Sequence, residues 1–111
     1  MAKAIFLAWS DPVDEAGEAE FSSWYEDTHI PQVRAAIPAI SAVHRYRTAD
    51  VPAVPGTPAH RYLAVYELDT DDVAGATAAL GAAAEGGRLT PTQTMDTTAN
   101  PPVLLWYQAV S

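Results

Sequence analysis

Cysteine is absent from the 111 residues. Disulfides, thiolate nucleophiles, iron–sulfur clusters and Cys-ligated zinc are excluded with it. Positive charge is scarce: 6 Lys plus Arg stand against 14 Asp plus Glu, a formal charge of −8. Nucleic acid and anionic membrane surfaces need clustered Lys and Arg, so neither is an expected partner. Long apolar runs are missing too. The N-terminal "MAKAIFLAWSDP" is far too short to span a bilayer. It has no small-residue cleavage site, so it reads as a first strand and not a signal peptide, and the expected location is cytoplasmic. No His-x-His or His-Glu-x-x-His spacing occurs, so no metal site is expected. "EGGR" (85–88) lacks a P-loop Lys and a following helix pattern, which leaves no phosphate loop. No cofactor is called for.

What is present is apolar. A 49% hydrophobic content with only 18% charged residues argues against disorder. The length suits one domain, residues 1–111. A core of this size has little surplus, so burying further surface in a dimer would help.

Four runs have strand character: "AIFLAWS" (4–10), "AISAVHRYRT" (39–48), "HRYLAVYEL" (60–68) and "VLLWYQAV" (103–110). Between the first two, "DEAGEAEFSSWYEDTHIP" begins acidic, as a helix N-terminus does. Phe21, Trp24, Tyr25 and Thr28 fall on one helical stripe that His29 continues. Pro31 either closes this helix or starts a second short turn through "QVRAAI". "DTDDVAGATAALGAAA" is a second, thin helix of small residues. The proline-rich loop 49–59 and the polar segment 85–102 read as irregular, mobile, and bordering any pocket at the sheet ends. The order β-α-β-β-α-β predicts an α+β, ferredoxin-like fold: a four-stranded antiparallel sheet with two helices on one face.

Both parities of the strands are apolar or aromatic, for example Val103, Leu105 and Tyr107 against Leu104 and Trp106. The helix-free face therefore needs a cover, and a second copy packed sheet to sheet provides one. The even positions Phe6, Ala8, Tyr62, Ala64, Tyr66 and Trp106 mix alanine with large rings. Beneath a thin second helix this leaves a mainly apolar cavity with a few polar tips. His29 is expected to point into it. "HRYR" (44–47) is echoed by "HRY" (60–62), so Tyr46 and Tyr62 share a face if no bulge intervenes. A slip of one residue would turn His44 and Tyr46 away.

The element order and the stretch "FSSWYEDTHIP" (21–31) resemble the dimeric α/β-barrel superfamily, and within it the EthD-like group. That resemblance implies a homodimer whose sheets form a barrel, with a pocket between sheet and helices in each subunit. It implies a broad range of activities: polyketide cyclases, muconolactone isomerases, cofactor-free monooxygenases and haem-using enzymes. The pocket histidine of the isomerase and cyclase members corresponds to His29, with Tyr62 or Tyr66 as its partner. The Asn and Trp used by some monooxygenases have a poor match, since Asn100 is the single asparagine and lies in a loop.

On the residues themselves, His29 is either a helix-end cap or a proton-transfer group with a near-neutral reference pKa. A pocket imidazole can take a proton from a carbon acid, and a tyrosine hydroxyl can donate to the resulting oxyanion. Candidate catalytic residues are thus His29, Tyr62 and Tyr66. Candidate substrate contacts are Phe6, Trp24, Tyr25, Ala64, Trp106, His44 and Tyr46. Arg45, Arg47 and Arg61 read as a solvated rim or a dimer salt-bridge set on the odd face. The expected function is a small cofactor-free isomerase, cyclase or lyase acting on a small apolar carbonyl-bearing or aromatic molecule. A cofactor-free monooxygenase and a non-catalytic ligand-binding or accessory protein are the alternatives.

Overall fold

In a computed structural model, which describes residues 2–56 and 59–110, one sheet carries the whole architecture. The order is β1 (Ala4–Ser10), α1 (Glu18–Trp24), a π-helical turn (Tyr25–His29), α2 (Ile30–Ala36), β2 (Ile40–Arg47), β3 (Tyr62–Leu68), α3 (Val73–Glu85) and β4 (Val103–Gln108). The strands pair antiparallel in the order β2-β3-β1-β4. This is the expected ferredoxin-like βαββαβ arrangement. Among the described residues no helix is long and apolar enough to cross a membrane. Of the proline loop 49–59, residues 57 and 58 lie outside the described set.

Strand alternation sorts the two faces as the sequence predicts. Ala4, Phe6, Ala8 and Ser10 of β1 and Ala64, Tyr66 and Leu68 of β3 are buried beneath the helices. The odd residues between them are half-buried on the helix-free face. Phe6 stacks on Tyr66 at 4.9 Å on one side and on Trp106 at 4.2 Å on the other. Register explains the ladder, because Phe6 stands opposite both Tyr66 and Trp106. Each such aromatic contact contributes about 0.5–1.5 kcal/mol beyond its buried area.

Of the two readings of Pro31, the second holds: it stands at the start of a further short helix, and the chain stays helical from α1 through the π-turn and α2 to Ala36. The apolar stripe supplies the reason. Phe21, Tyr25, Val33 and Ile37 are all buried, and with His29 they recur every four residues. In a regular α-helix each step of four overshoots a full turn by about 40°, so this stripe would swing ~160° off its face. A π-turn accommodates one extra residue and takes back most of that drift. The turn's wider bonding appears in the Ile30 amide, which donates to the Tyr25 carbonyl. Pro31 then occupies the start of α2, where a missing N–H is tolerated.

A departure from expectation is in β2. Ile40 pairs with Leu68, but Ala42 pairs with Glu67, so Ser41 forms a bulge. Without it Tyr46 would face Tyr62 and His44 would face Ala64. With it, Arg47 faces Tyr62, Arg45 faces Ala64, and His44 and Tyr46 turn to the helix-free side.

α3 starts at Asp72, whose Oδ1 accepts from the Gly75 amide at 2.9 Å. It stops where Gly87, at φ +73°, takes the left-handed conformation that suits glycine.

Candidate active site

A cavity of about 450 Å³ lies between the sheet and the helices. Its floor is the aromatic ladder Phe6, Tyr66 and Trp106, with Ala8 and Ser10 beside it. The helical run contributes Tyr25, His29 and Val33. α3 contributes Thr77, Leu80, Gly81 and Ala84, and its small side chains leave the room. Leu89, Met95 and Pro102 close the end, and half-exposed Leu104 marks where the cavity meets solvent. Trp9 also touches it, although its strand position belongs to the opposite face.

The segment after α3 is tied down more firmly than its composition suggests. Trp24 Nε1 donates to the Thr90 carbonyl at 2.9 Å. Thr90 exchanges two further hydrogen bonds with Gln32, at 2.7 and 2.9 Å. Met95 bridges to Pro12. Asp96 accepts from the amides of Thr98, Ala99 and Asn100, which holds its carboxyl below the usual range. Buried Asp11 accepts from the Arg61 amide at 2.6 Å and the Asn100 side chain at 2.7 Å.

Among the described residues, the titratable side chains lining the cavity are Tyr25, His29 and Tyr66. His29 stacks on Trp24 and meets Tyr25 edge-on at 5.0 Å. Its Nδ1 is buried with no hydrogen-bond partner. Burial pushes the imidazole down to about 4, so it is neutral at pH 7. The Tyr66 hydroxyl is buried without a well-formed hydrogen bond, but the Tyr25 phenol is close enough to interact with it. Burial first, and Tyr25 second, push its ionisation far up. The Tyr25 phenol is also raised by burial. A buried polar atom left without a hydrogen bond, as His29 Nδ1 is, costs about 1–3 kcal/mol.

Of the sequence-derived candidates, His29, Tyr66, Phe6, Tyr25 and Trp106 converge on this cavity. Trp24 does not line it; it backs His29 from behind. Ala64 is buried in the core under the helices and does not line the cavity. Tyr62 is engaged elsewhere: its hydroxyl donates to Glu18, which also meets Arg47 and Arg61, each at 3.4 Å. The Tyr62 bond, with the two arginines, holds the Glu18 carboxyl below its ordinary range. His44 and Tyr46 face away because of the Ser41 bulge; His44 pairs with Glu67 at 2.8 Å and Tyr46 is 55% exposed. The same bulge carries Arg45 and Arg47 to the helix side, away from the odd-face rim expected of them. The run of Ala and Gly in 74–84 signalled the room under α3, and the turn-rich composition of 85–102 placed that segment at the pocket's border; which of their side chains line the cavity, among them Leu80, Leu89 and Met95, had no signal.

The model of the EthD domain family matches residues 14–86, well over half of the chain. The chain belongs to the EthD family. Nothing among curated proteins matches this EthD protein. Solved structures share its fold at low identity. An EthD-like protein from Ralstonia eutropha is 17% identical with a TM-score of 0.56, over 100% of this chain and 96% of that one. The haem-degrader MhuD from Mycobacterium tuberculosis, with two haems in its active site, is 14% identical with a TM-score of 0.61, over 97% and 96%. A dimeric ferredoxin-like protein of unknown function from Jannaschia is 13% identical with a TM-score of 0.59, over 96% and 98%.

Proposed function

We propose that this EthD protein is a cofactor-free enzyme that moves a proton on a small, largely apolar carbonyl compound. The observation that supports this reading is that His29, its Nδ1 unpartnered, and Tyr66 both line one largely apolar cavity. The reaction begins as His29 takes a proton from the carbon next to the carbonyl. The electron pair of that bond moves onto the carbonyl oxygen. The Tyr66 hydroxyl donates to the enolate oxygen that forms. Where the enolate is conjugated with a double bond, return of the proton from His29 at another carbon completes an isomerisation; attack by the enolate carbon on a second carbonyl of the same molecule, with the His29 proton passing to the alkoxide that forms, completes a cyclisation.

An imidazole near 4 is a weak base in the empty cavity. An enolate beside it changes that: opposite unit charges ~4 Å apart at an effective dielectric near 20 gain about 4 kcal/mol, or ~3 pH units. The imidazolium is therefore stable only while the anion is present, which couples proton uptake to enolate formation. A haem fits this lining poorly. Its propionates need cationic partners, and among the described residues no Lys or Arg lines the cavity.

The site sits in a homodimer on this reading. Val103, Leu105 and Tyr107 of β4 are exposed on the helix-free face, beside half-buried Ile5, Leu7 and Trp9. Such a face suits a second copy, and the Jannaschia relative is dimeric.

The test follows deuterium uptake from D2O into small aryl ketones by NMR. Exchange that falls at least ~10²-fold in His29→Gln supports the proposal. Oxygen-dependent turnover would favour a cofactor-free monooxygenase instead. Ligand binding without exchange, unaffected by His29→Ala, would favour a non-catalytic binding or accessory protein.

A further inference from the structure

Three hydroxyls meet in the cavity wall, and the mechanism above uses one of them. Ser10 on β1 and Tyr66 on β3 stand on the helix side of the sheet. Tyr25 faces them from the helical run. All three are buried and line the cavity. The Tyr25 phenol interacts with both of the others. Tyr66 has no well-formed bond, so the two phenol protons are not spent on each other. Three hydroxyls carry three protons, and the contacts among them use two at most, which leaves at least one for a ligand. The fourth hydroxyl of the lining, Thr77, is engaged by the Val73 carbonyl at 2.9 Å. Behind Tyr25 the Arg45 guanidinium carbon lies 4.7 Å from the ring centroid, outside the cavity lining. Burial still wins: it raises the Tyr25 phenol by more than Tyr66, Arg45 and Ser10 lower it, and it raises Tyr66 too. Both phenols therefore keep their protons at pH 7 and act as donors. His29 is neutral as well, and among the described residues no Lys, Arg, Asp or Glu lines the cavity.

We propose that Tyr25 is a second hydrogen-bond donor beside Tyr66, the two phenols converging on one carbonyl oxygen, so that the cavity takes neutral carbonyl compounds and refuses carboxylates of the same shape. The proposal rests on the cavity and ligand class of the proton-transfer reading, but on binding and not on catalysis. Ser10 donates to Tyr25, and Tyr25 and Tyr66 donate to the two lone pairs of the ligand oxygen, which takes the place of the imperfect contact between them. Every hydroxyl proton then has an acceptor. The donors in such a chain strengthen one another, and Arg45 over the Tyr25 ring strengthens that phenol without ionising it. A carboxylate would meet the same balance that keeps the phenols neutral, with burial outweighing Arg45. A benzoic acid therefore enters in its protonated form. With a carboxyl pKa near ~4, only about one molecule in 10³ has that form at pH 7.

The probe is acetophenone carrying 13C at its carbonyl, whose resonance moves downfield as hydrogen bonds are donated to the oxygen. Bound to the wild type, it should lie downfield of its position in hexane. Tyr25→Phe and Tyr66→Phe keep the rings and remove the donors; each should move the resonance part of the way back, and the double variant nearly all the way. Benzoate should bind ~10³-fold more weakly than acetophenone at pH 7 on its ionised fraction alone, and gain about tenfold per pH unit from 7 to 5. His29→Gln should leave the bound resonance in place while abolishing deuterium exchange, which separates the two proposals. A downfield resonance that depends on Tyr25, in a wild type that exchanges no deuterium, supports this inference and overturns the proton-transfer reading alone. A resonance unmoved in Tyr25→Phe overturns this inference alone. So does benzoate that binds within tenfold of acetophenone at pH 7, or acetophenone that fails to bind at millimolar concentration. If Tyr25→Phe fails to fold by thermal melt, Ser10→Ala takes its place: it strips Tyr25 of its own donor and should move the resonance the same way by less, and an unmoved resonance again overturns the inference.

Discussion

The imidazole of His29 lies flat on the indole of Trp24, with ring centroids 4.6 Å apart and planes 20° apart. Trp24 is itself anchored by its indole N–H on the Thr90 carbonyl. The loop after α3 thus fixes the tryptophan, and the tryptophan fixes the plane of the histidine. In Trp24→Phe the anchor is lost. The expected cost is about 0.5–1.5 kcal/mol of stability for one hydrogen bond, with faster hydrogen exchange at the Thr90 amide. An unchanged Thr90 exchange rate would show that Gln32 alone holds the loop.

His29→Ala should lower turnover at least ~10²-fold, the scale of a positioned acid–base group. Stability should be little changed, because the substitution removes a buried, unpartnered Nδ1 along with its packing. Steady-state rates and urea melts separate the two effects. A variant that unfolds would mark the histidine as structural.

Burial lowers the His29 imidazole to about 4, and this has a definite sign for stability. The unfolded chain protonates this group near its ordinary value of about 6.5, before the native state does. Stability is therefore unaffected above that range and declines as pH falls from about 6.5 to about 4, by roughly 3 kcal/mol in all. His29→Gln should flatten this part of the profile in denaturant melts at pH 4 to 7. The acid limb of the rate profile should likewise fall nearer 4 than the 6–7 of a free imidazole. A limb that stays at 6–7 would place His29 in water during the reaction.

Gly81 lies in the middle of α3 on the cavity wall, and a Cβ built there meets nothing within 4 Å. Gly81→Ala should raise stability by up to ~1 kcal/mol, the helix-interior difference between the two residues. It should also narrow the cavity and weaken binding of the bulkier ligands first. Thermal melts and a size series of aryl ketones would show both effects. A uniform loss of affinity across the series would contradict the placement.

The dimer proposed through the helix-free face should bury upwards of ~1,200 Å² in total. Light scattering at micromolar concentration should return twice the chain mass for the wild type and a monomer for Leu105→Glu. A monomeric wild type would leave β4's apolar residues without a partner.

Much of this protein is written in short-range pattern. Period-two alternation places Phe6, Ala8, Tyr66 and Trp106 on one face, and a strand imposes that directly through its pleat. The acidic helix starts and the Ala/Gly run of 74–84 indicate where the helices begin and why a cavity remains beneath them. His29 follows from the stripe that starts at Phe21. Other features depended on neighbours distant in sequence. The spacing of four from Phe21 to Ile37 is legible, but that the helix would absorb it with a π-turn and run on past Pro31 depended on the sheet it had to cover. The bulge at Ser41 had no local signal. It arises because Ile40 must stay buried opposite Leu68 while the rest of β2 shifts by one residue. That shift exchanges His44 and Tyr46, which read as pocket residues, for Arg45 and Arg47, which read as rim. A strand has only two faces, so one inserted residue decides for every side chain after it which face it shows.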